Sequence, residues 1–158
     1  METGEWNIRF ASLDLSAFLE DLAQGFEEEA SLRGRRFERD LSAIRGAHVS
    51  ADPVLLTRVF ENLVSNALRY SPDGGLVRLS ARFTLTALFV DIDDEGPGVP
   101  ECERELIFEP FYRGAGNREG HGLGLYIVRT VLRGHGWPIH VSRSPAGGAR
   151  FTITIAME

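Results

Sequence analysis

Apolar positions recur along this chain with two different periods, and the switches between them outline its elements. Residues 10–13 read as a short strand. From position 14 or 16, where Asp14 or Ser16 can cap, to about 30, Phe18, Leu19, Leu22 and Phe26 share one side of a helix. Gly34 closes that region, and residues 37–41 and 47–50 are short strand candidates. Asp52-Pro53 predicts a second helix, with Asp at the cap and Pro in the first turn. It runs to about Tyr70 and stops at Ser71-Pro72-Asp73-Gly74-Gly75, a dense turn signal. Residues 76–83 and 88–93 alternate as two strands around a short turn. A loop-rich stretch spans 94–120, a third helix covers about 123–134, and 139–144 with 150–155 form a hairpin around Pro145-Ala146-Gly147-Gly148. Three main helices and six or seven strands, partly segregated, predict an α+β fold with the helices on one face of a mixed sheet.

Composition narrows the class. The chain has 158 residues, 43% of them hydrophobic, enough for one domain with a real core. Residues 1–9 read as a tail and 10–158 as a single domain. No apolar run reaches membrane-spanning length, and no basic-then-apolar leader opens the sequence. Cys102 is the one cysteine, so neither an internal disulfide nor a cysteine-based zinc site is available, which suits a cytoplasmic domain. A net charge of −6 without a basic tract argues against nucleic acid. All 17 basic residues are arginine, so any side-chain cation that meets a phosphate can do so with two parallel hydrogen bonds.

Three segments carry candidate chemistry. On the second helix, Asn62, Asn66 and Arg69 fall in one narrow sector with Tyr70 at its edge, while Leu56, Phe60, Leu63 and Ala67 face about a third of a turn away, toward a core. Amide oxygens are hard neutral donors that suit Mg²⁺, and Arg69 and Tyr70 stand where a phosphate and a base can be met; a solvated polar face explains the same residues equally well. The second segment, Asp94-Glu95-Gly96-Pro97-Gly98, follows a strand. Gly96 and Gly98 let the backbone come close to a ligand, and a carboxylate there can accept from an exocyclic amine such as adenine N6. A tight acidic turn is the plainer reading, and calcium-loop spacing is absent. The third, Gly120-His121-Gly122-Leu123-Gly124-Leu125, opens the third helix, where free N–H groups and the helix dipole suit a phosphate. No Lys-Ser/Thr follows, as a Walker loop needs, and no parallel strand feeds it, as a dinucleotide fingerprint needs. Between the glycine segments, Phe108 to Arg113 offers two aromatics that ordinary packing accounts for, with Arg113 aimed at the phosphates.

The order of these segments is more specific than any one of them. An asparagine helix, Asp-x-Gly-x-Gly, Phe-x-Pro-Phe, Gly-x-Gly-Leu-Gly-Leu and Gly-Gly-x-x-Phe, in sequence over residues 10–155, resemble the catalytic ATP-binding domain of bacterial sensor histidine kinases. That family shares the Bergerat fold with gyrase, Hsp90 and MutL ATPases: a two-layer α/β sandwich with a mixed, mostly antiparallel sheet. The resemblance implies Asn66 as the Mg²⁺ ligand, Asn62 as a supporting polar residue, and Arg69 where the kinases usually carry Lys. It implies Tyr70 beside the adenine, Asp94 on the adenine amino group, and Gly96 and Gly98 in the first glycine box. Arg113, Gly120, Gly122, Leu123, Gly124 and Leu125 would meet the phosphates, and residues 109–120 would form a glycine-hinged ATP lid, partly disordered without nucleotide. Glu95 replaces the usual Asn, and Ala149 the usual Thr or Ser, which puts a hydroxyl contact near the nucleotide in doubt.

In this family the phosphoryl group goes to a histidine on a dimerisation domain, in a His-Asp/Glu-x-x-x-Pro context. His48, His121, His135 and His140 all lack that context. The resemblance therefore implies a chain that binds Mg·ATP, is monomeric, and needs an acceptor domain, and beyond it a response regulator, that it does not contain. It implies the cytoplasmic part of an inner-membrane receptor. An anti-sigma-factor serine kinase and a nucleotide-dependent binding module of the same fold are the alternatives.

Overall fold

The structure, a computed structural model, describes residues 7–112 and 123–156. Strand β1 (Ala11–Asp14) runs into helix α1 (Leu15–Leu32), which the Asp14 carboxylate caps by accepting from the Ala17 N–H. Strands β2 (Arg36–Asp40) and β3 (His48–Ala51) follow. Helix α2 (Pro53–Tyr70) begins at Asp52, whose carboxylate accepts from the Val54 and Leu55 N–H groups, and ends at Ser71, where Pro72 removes the next donor. Strands β4 (Leu76–Phe83) and β5 (Leu88–Asp93), helix α3 (Gly124–His135), and strands β6 (Ile139–Arg143) and β7 (Ala149–Ile155) complete the chain.

The main sheet has the order β2-β4-β5-β7-β6. Only β2 and β4 are parallel; β3 and α2 lie between them in sequence and supply the long crossover that a parallel pair requires. The other pairs are antiparallel, and β1 and β3 form a separate two-stranded ribbon. The three α-helices cover one face. Leu56, Phe60, Leu63 and Ala67 of α2, the stripe that periodicity assigned to the core, are essentially solvent-free against Val90 and Ile92 of β5 and Phe151 and Ile153 of β7. The expected two-layer α+β sandwich is the observed one. Within the helix α1 stripe the burial is uneven: Leu19 and Phe26 are buried, Phe18 and Leu22 only partly.

The sheet's other face carries the polar half of the alternation, and it is ordered by ion pairs. Arg82 donates two hydrogen bonds to Asp91, at 2.6 and 3.1 Å, and Thr152 donates a third at 2.6 Å. Beside it, Arg150 grips Asp93 with two hydrogen bonds of 2.7 and 2.9 Å. Residues 7–9, read from sequence as the end of a tail, lie against the helices. Ile8 sits over Gly134, and Arg9 N–H donates to Asp52 Oδ2 at 2.9 Å. His135, at the end of α3, donates from Nδ1 to the Val131 carbonyl and accepts the Asp52 N–H at Nε2, while Phe10 packs edge-on against its ring. Among the described residues no helix is long and apolar enough to cross a membrane.

Burial alone would raise the pKa of Asp91. The hydrogen bonds from Arg82 and Thr152 and the charge of Arg150 outweigh it and hold the carboxyl below its ordinary value. The ionised form is thus bound more tightly in the folded than in the unfolded chain. Its contribution is complete above the unfolded carboxylate value near pH ~4 and disappears as pH falls through the lower folded value. Asp91→Ala is expected to cost about 1–3 kcal/mol at pH 7, less than a fully buried pair because Arg82 is half-exposed. Urea unfolding between pH 7 and pH 3 checks this: the variant should lose less stability on acidification than the parent.

Candidate functional site

The turn after β5 meets the end of α2 on one side and the hairpin before β7 on the other, and Asp94 ties the turn to that hairpin. Asp94 is nearly inaccessible to solvent. Its N–H donates to the Ala149 carbonyl, and its Oδ1 accepts from the Ala149 and Gly96 N–H groups, at 3.0 and 2.9 Å. Its carbonyl accepts from the buried Ser144 hydroxyl at 2.8 Å. One residue therefore joins the turn after β5 to the hairpin before β7. Its carboxylate orientation is set by two backbone donors that no side-chain substitution removes.

Close approach explains two of the glycines. A Cβ on Gly96 would stand 2.5 Å from the Tyr70 carbonyl oxygen, and one on Gly148 would stand 2.5 Å from Asp94 Oδ1, too close in both cases. The turn thus presses on the last residue of α2, and Ser71 Oγ accepts from the Glu95 N–H at 3.4 Å. Glu95 turns back to β4, where its carboxylate accepts from the Leu76 N–H at 3.0 Å. It splints the turn to the sheet, a role any side chain with an acceptor of that reach can fill.

On α2, Asn62 and Asn66 lie one turn apart and half-buried, followed by Arg69 and Tyr70, also half-buried. The Arg69 guanidinium stands 5.6 Å from the centre of the Tyr70 ring. Asn62 Nδ2 donates to the Arg58 carbonyl at 3.0 Å, which turns Oδ1 toward Gly124; a Cβ there would be 3.2 Å from it. The start of α3 therefore rests on the amide face of α2. Among the described residues no side-chain cap bond is made at the Leu123 N-cap of α3, and the first N–H groups of a helix have no intrahelical acceptor. Leu123 and Leu125 flank that start half-buried, Leu125 packing on the core.

Of the sequence-predicted site residues, the structure brings together Asn62 with Gly124, and Tyr70 with Gly96 and Asp94; Asn66 and Arg69 share the α2 face between them. Gly98, at φ +79°, faces the carbonyls of Gly147 and Gly148 across the two loops. Arg113, Gly120, His121 and Gly122, and with them most of the expected lid at 109–120, lie outside the described residues. Phe108 packs as expected, edge-on to Phe151 and under the Arg129 guanidinium at 4.3 Å. Phe111 does not: it has a φ of +66° and is 68% exposed. Ser144 and Ser71 escaped the sequence reading. Ser144 heads the Pro145-Ala146-Gly147-Gly148 turn, and only the fold brings that turn to Asp94. Ala149 contributes its N–H and carbonyl, so the missing hydroxyl leaves the Asp94 clamp intact.

Residues 51–158 match the family of histidine kinase-, DNA gyrase B- and HSP90-like ATPases. The chain belongs to that family. Among its relatives, the alginate biosynthesis sensor protein KinB of Pseudomonas aeruginosa is 33% identical over 98% of this chain, and the signal transduction histidine-protein kinase BaeS of Escherichia coli 32% over 94%. The chain spans only 26% and 32% of those two proteins. The structure is similar to that of the mycobacterial sensor histidine kinase MprB, at 27% identity and a TM-score of 0.80, covering 95% of this chain and 99% of that one. It is also similar to full-length ShkA in complex with AMPPNP, at 26% identity and a TM-score of 0.82, covering 96% and 32%. Within the ATPase family, then, this is an ATP-binding catalytic domain of the histidine-kinase kind.

Gly148→Ala is expected to cost about 1–3 kcal/mol, because its methyl group meets both the carbonyl and the carboxylate of Asp94. Gly25→Ala, in the exposed interior of α1 with open space around it, should instead add about 0.5–1 kcal/mol. Urea unfolding of the two variants side by side separates crowding at the clamp from a general glycine effect.

Proposed function

We propose that this domain binds Mg·ATP between α2, the Asp94 turn and the start of α3, and donates the γ-phosphoryl group to a histidine on a separate dimerisation domain of a two-component sensor kinase. The observation that carries the reading is Asp94. A carboxylate whose Oδ1 is fixed by two backbone amides is preorganised to accept from the adenine amino group, and Tyr70 stands next to the same turn. Gly96 and Gly148 let the turn and the last hairpin close tightly around that carboxylate, and Gly124 lets the start of α3 rest on Asn62.

Asn66 is the residue that would hold magnesium. The donor chemistry fits: Mg²⁺ accepts one neutral oxygen from protein and takes the rest from phosphates and water. Among the described residues no group of three or more His, Cys, Asp or Glu converges as an alternative metal site. When bound, the ion neutralises charge on the phosphates. The chain's own part is positioning: Asn62 braces the start of α3, the uncapped N–H groups there present positive dipole to the phosphate end, and Arg69 adds charge. Arg113, Gly120 and Gly122 are assigned to the same end by their place in the sequence motif. Transfer itself requires an acceptor histidine in a His-Asp/Glu-x-x-x-Pro setting, which no histidine of this chain has. KinB and BaeS, a sensor protein and a signal transduction histidine-protein kinase that are both longer than this chain, support a place within a sensor kinase; a response regulator as downstream partner and the cytoplasmic side of a membrane belong to the same proposal.

Asp94→Asn keeps an oxygen for the Gly96 and Ala149 amides and offers an amide to the base in place of a carboxylate oxygen. It should weaken ATP and ADP about tenfold or more. Asn66→Ala should reduce only the part of ATP affinity that depends on magnesium. Calorimetry with and without the ion checks both, and unchanged affinities for both variants would remove the proposed site. Incubated alone with labelled ATP, the 158-residue chain should form almost no phosphohistidine; one label per chain contradicts the need for a separate acceptor.

A further inference from the structure

A second feature shares no residue with the nucleotide site. The C-terminal half of α3 and strand β6 border a cleft of about 390 Å³, lined among others by Glu105, Arg129, Arg133, Trp137, Ile139 and His140. Arg129 and Arg133 are one helical turn apart on the same face. Arg129 is held in place by stacking on Phe108 and by a 2.9 Å bond to Glu105. Arg133 and His140 are exposed, and neither has a carboxylate partner among the described residues. The local field is positive: Arg129, then His140 and Arg133, hold the Glu105 carboxyl below its ordinary value. In a chain of net charge −6, this concentration of cations is the reverse of the overall balance.

The cleft opens onto an unpaired strand edge. Strand β6 is the last in the sheet. Pro138 and Ser144 pair with β7 through the Thr154 N–H donating to Pro138 O and the Ser144 N–H donating to Gly148 O. The antiparallel alternation between these points turns the N–H and C=O groups of Ile139, Val141 and Arg143 outward. A charge that guards an edge against aggregation needs to lie on the strand, and Arg143 does so. That role leaves the cations on α3 unexplained.

We propose that this cleft is a docking site for an extended acidic segment of a protein partner, whose backbone adds to the edge of β6 and whose carboxylates sit against Arg129 and Arg133, with His140 bordering the same edge from the sheet's other face. Backbone pairing supplies adhesion without sequence preference, and the cations select the charge. Glu105 then acts as an internal competitor that keeps Arg129 oriented until a stronger acidic ligand arrives.

The probe is an end-blocked octapeptide of alternating Glu and Thr, titrated into the ¹⁵N-labelled 158-residue chain. Controls are the Lys-for-Glu peptide and inorganic phosphate. Saturable shifts at the amides of Ile139, Val141 and Arg143 are expected. Arg133→Glu and His140→Glu, both at exposed positions, should each weaken binding at least tenfold, and raised salt should weaken it further, with ATP affinity unchanged. The proposal is overturned if no saturable shifts appear at these amides, if they persist undiminished in both variants, or if the Lys peptide binds equally well. It is also overturned if phosphate gives the same shifts with the same affinity, which would make the cleft a simple anion site.

Discussion

The arrangement of the site depends on the double tie between Asp94 and Ala149. Through it the turn after β5 and the last hairpin become one unit, and the Ser144 hydroxyl on the Asp94 carbonyl closes the unit from the other side. A carboxylate buried without donors would cost several kcal/mol. Here the two amides on Oδ1 meet part of that cost, and they also fix where the rest of the carboxylate faces. Gly96 and Gly148 follow as necessities, because no Cβ fits between the clamp and its neighbours. The contact of Gly96 with Tyr70 extends the same constraint to α2, and Asn62 extends it to α3.

Around this point the fold divides its two kinds of residue by sheet face. Leucines, valines and phenylalanines of α2, β5 and β7 fill the layer between helices and sheet. Among the described residues no helix covers the other face, and the paired Arg82–Asp91 and Arg150–Asp93 groups give it a polar surface. An arginine-only complement suits this arrangement, since each guanidinium makes two parallel bonds to one carboxylate.

Local signals were legible in the sequence where they are backbone chemistry. The bounds of α2 follow from Asp52-Pro53 and Ser71-Pro72, and β4 and β5 follow from strict alternation beside a short turn. Family motifs name Asn62, Asn66, Tyr70, Asp94 and Gly96 together; the fold sets Tyr70, Asp94 and Gly96 against one another, with Asn62 and Asn66 on the preceding turns of α2. What stayed hidden depends on strand order and on partners distant in sequence. The parallel β2–β4 pair, the separate β1–β3 ribbon, and Ser144 meeting Asp94 across 50 positions have no local signature. At Ala149 the side chain is uninformative, because it is the backbone N–H and carbonyl there that hold Asp94. Phe111 departs from the packing expected of an aromatic: it is exposed and has a positive φ, neither of which the sequence pattern reveals.

The central claim is that Asp94 reads the amino group of adenine. Comparing ADP with inosine diphosphate tests it directly, because inosine carries a C6 carbonyl and an N1–H where adenosine carries the C6 amino group and an unprotonated N1. In the inosine nucleotide a carbonyl oxygen would face the carboxylate in place of a donor. Calorimetry at fixed magnesium should give an inosine nucleotide affinity at least tenfold weaker than that of ADP, equivalent to about 1.4 kcal/mol or more. Equal affinities for the two nucleotides would contradict the assignment of Asp94 to the base.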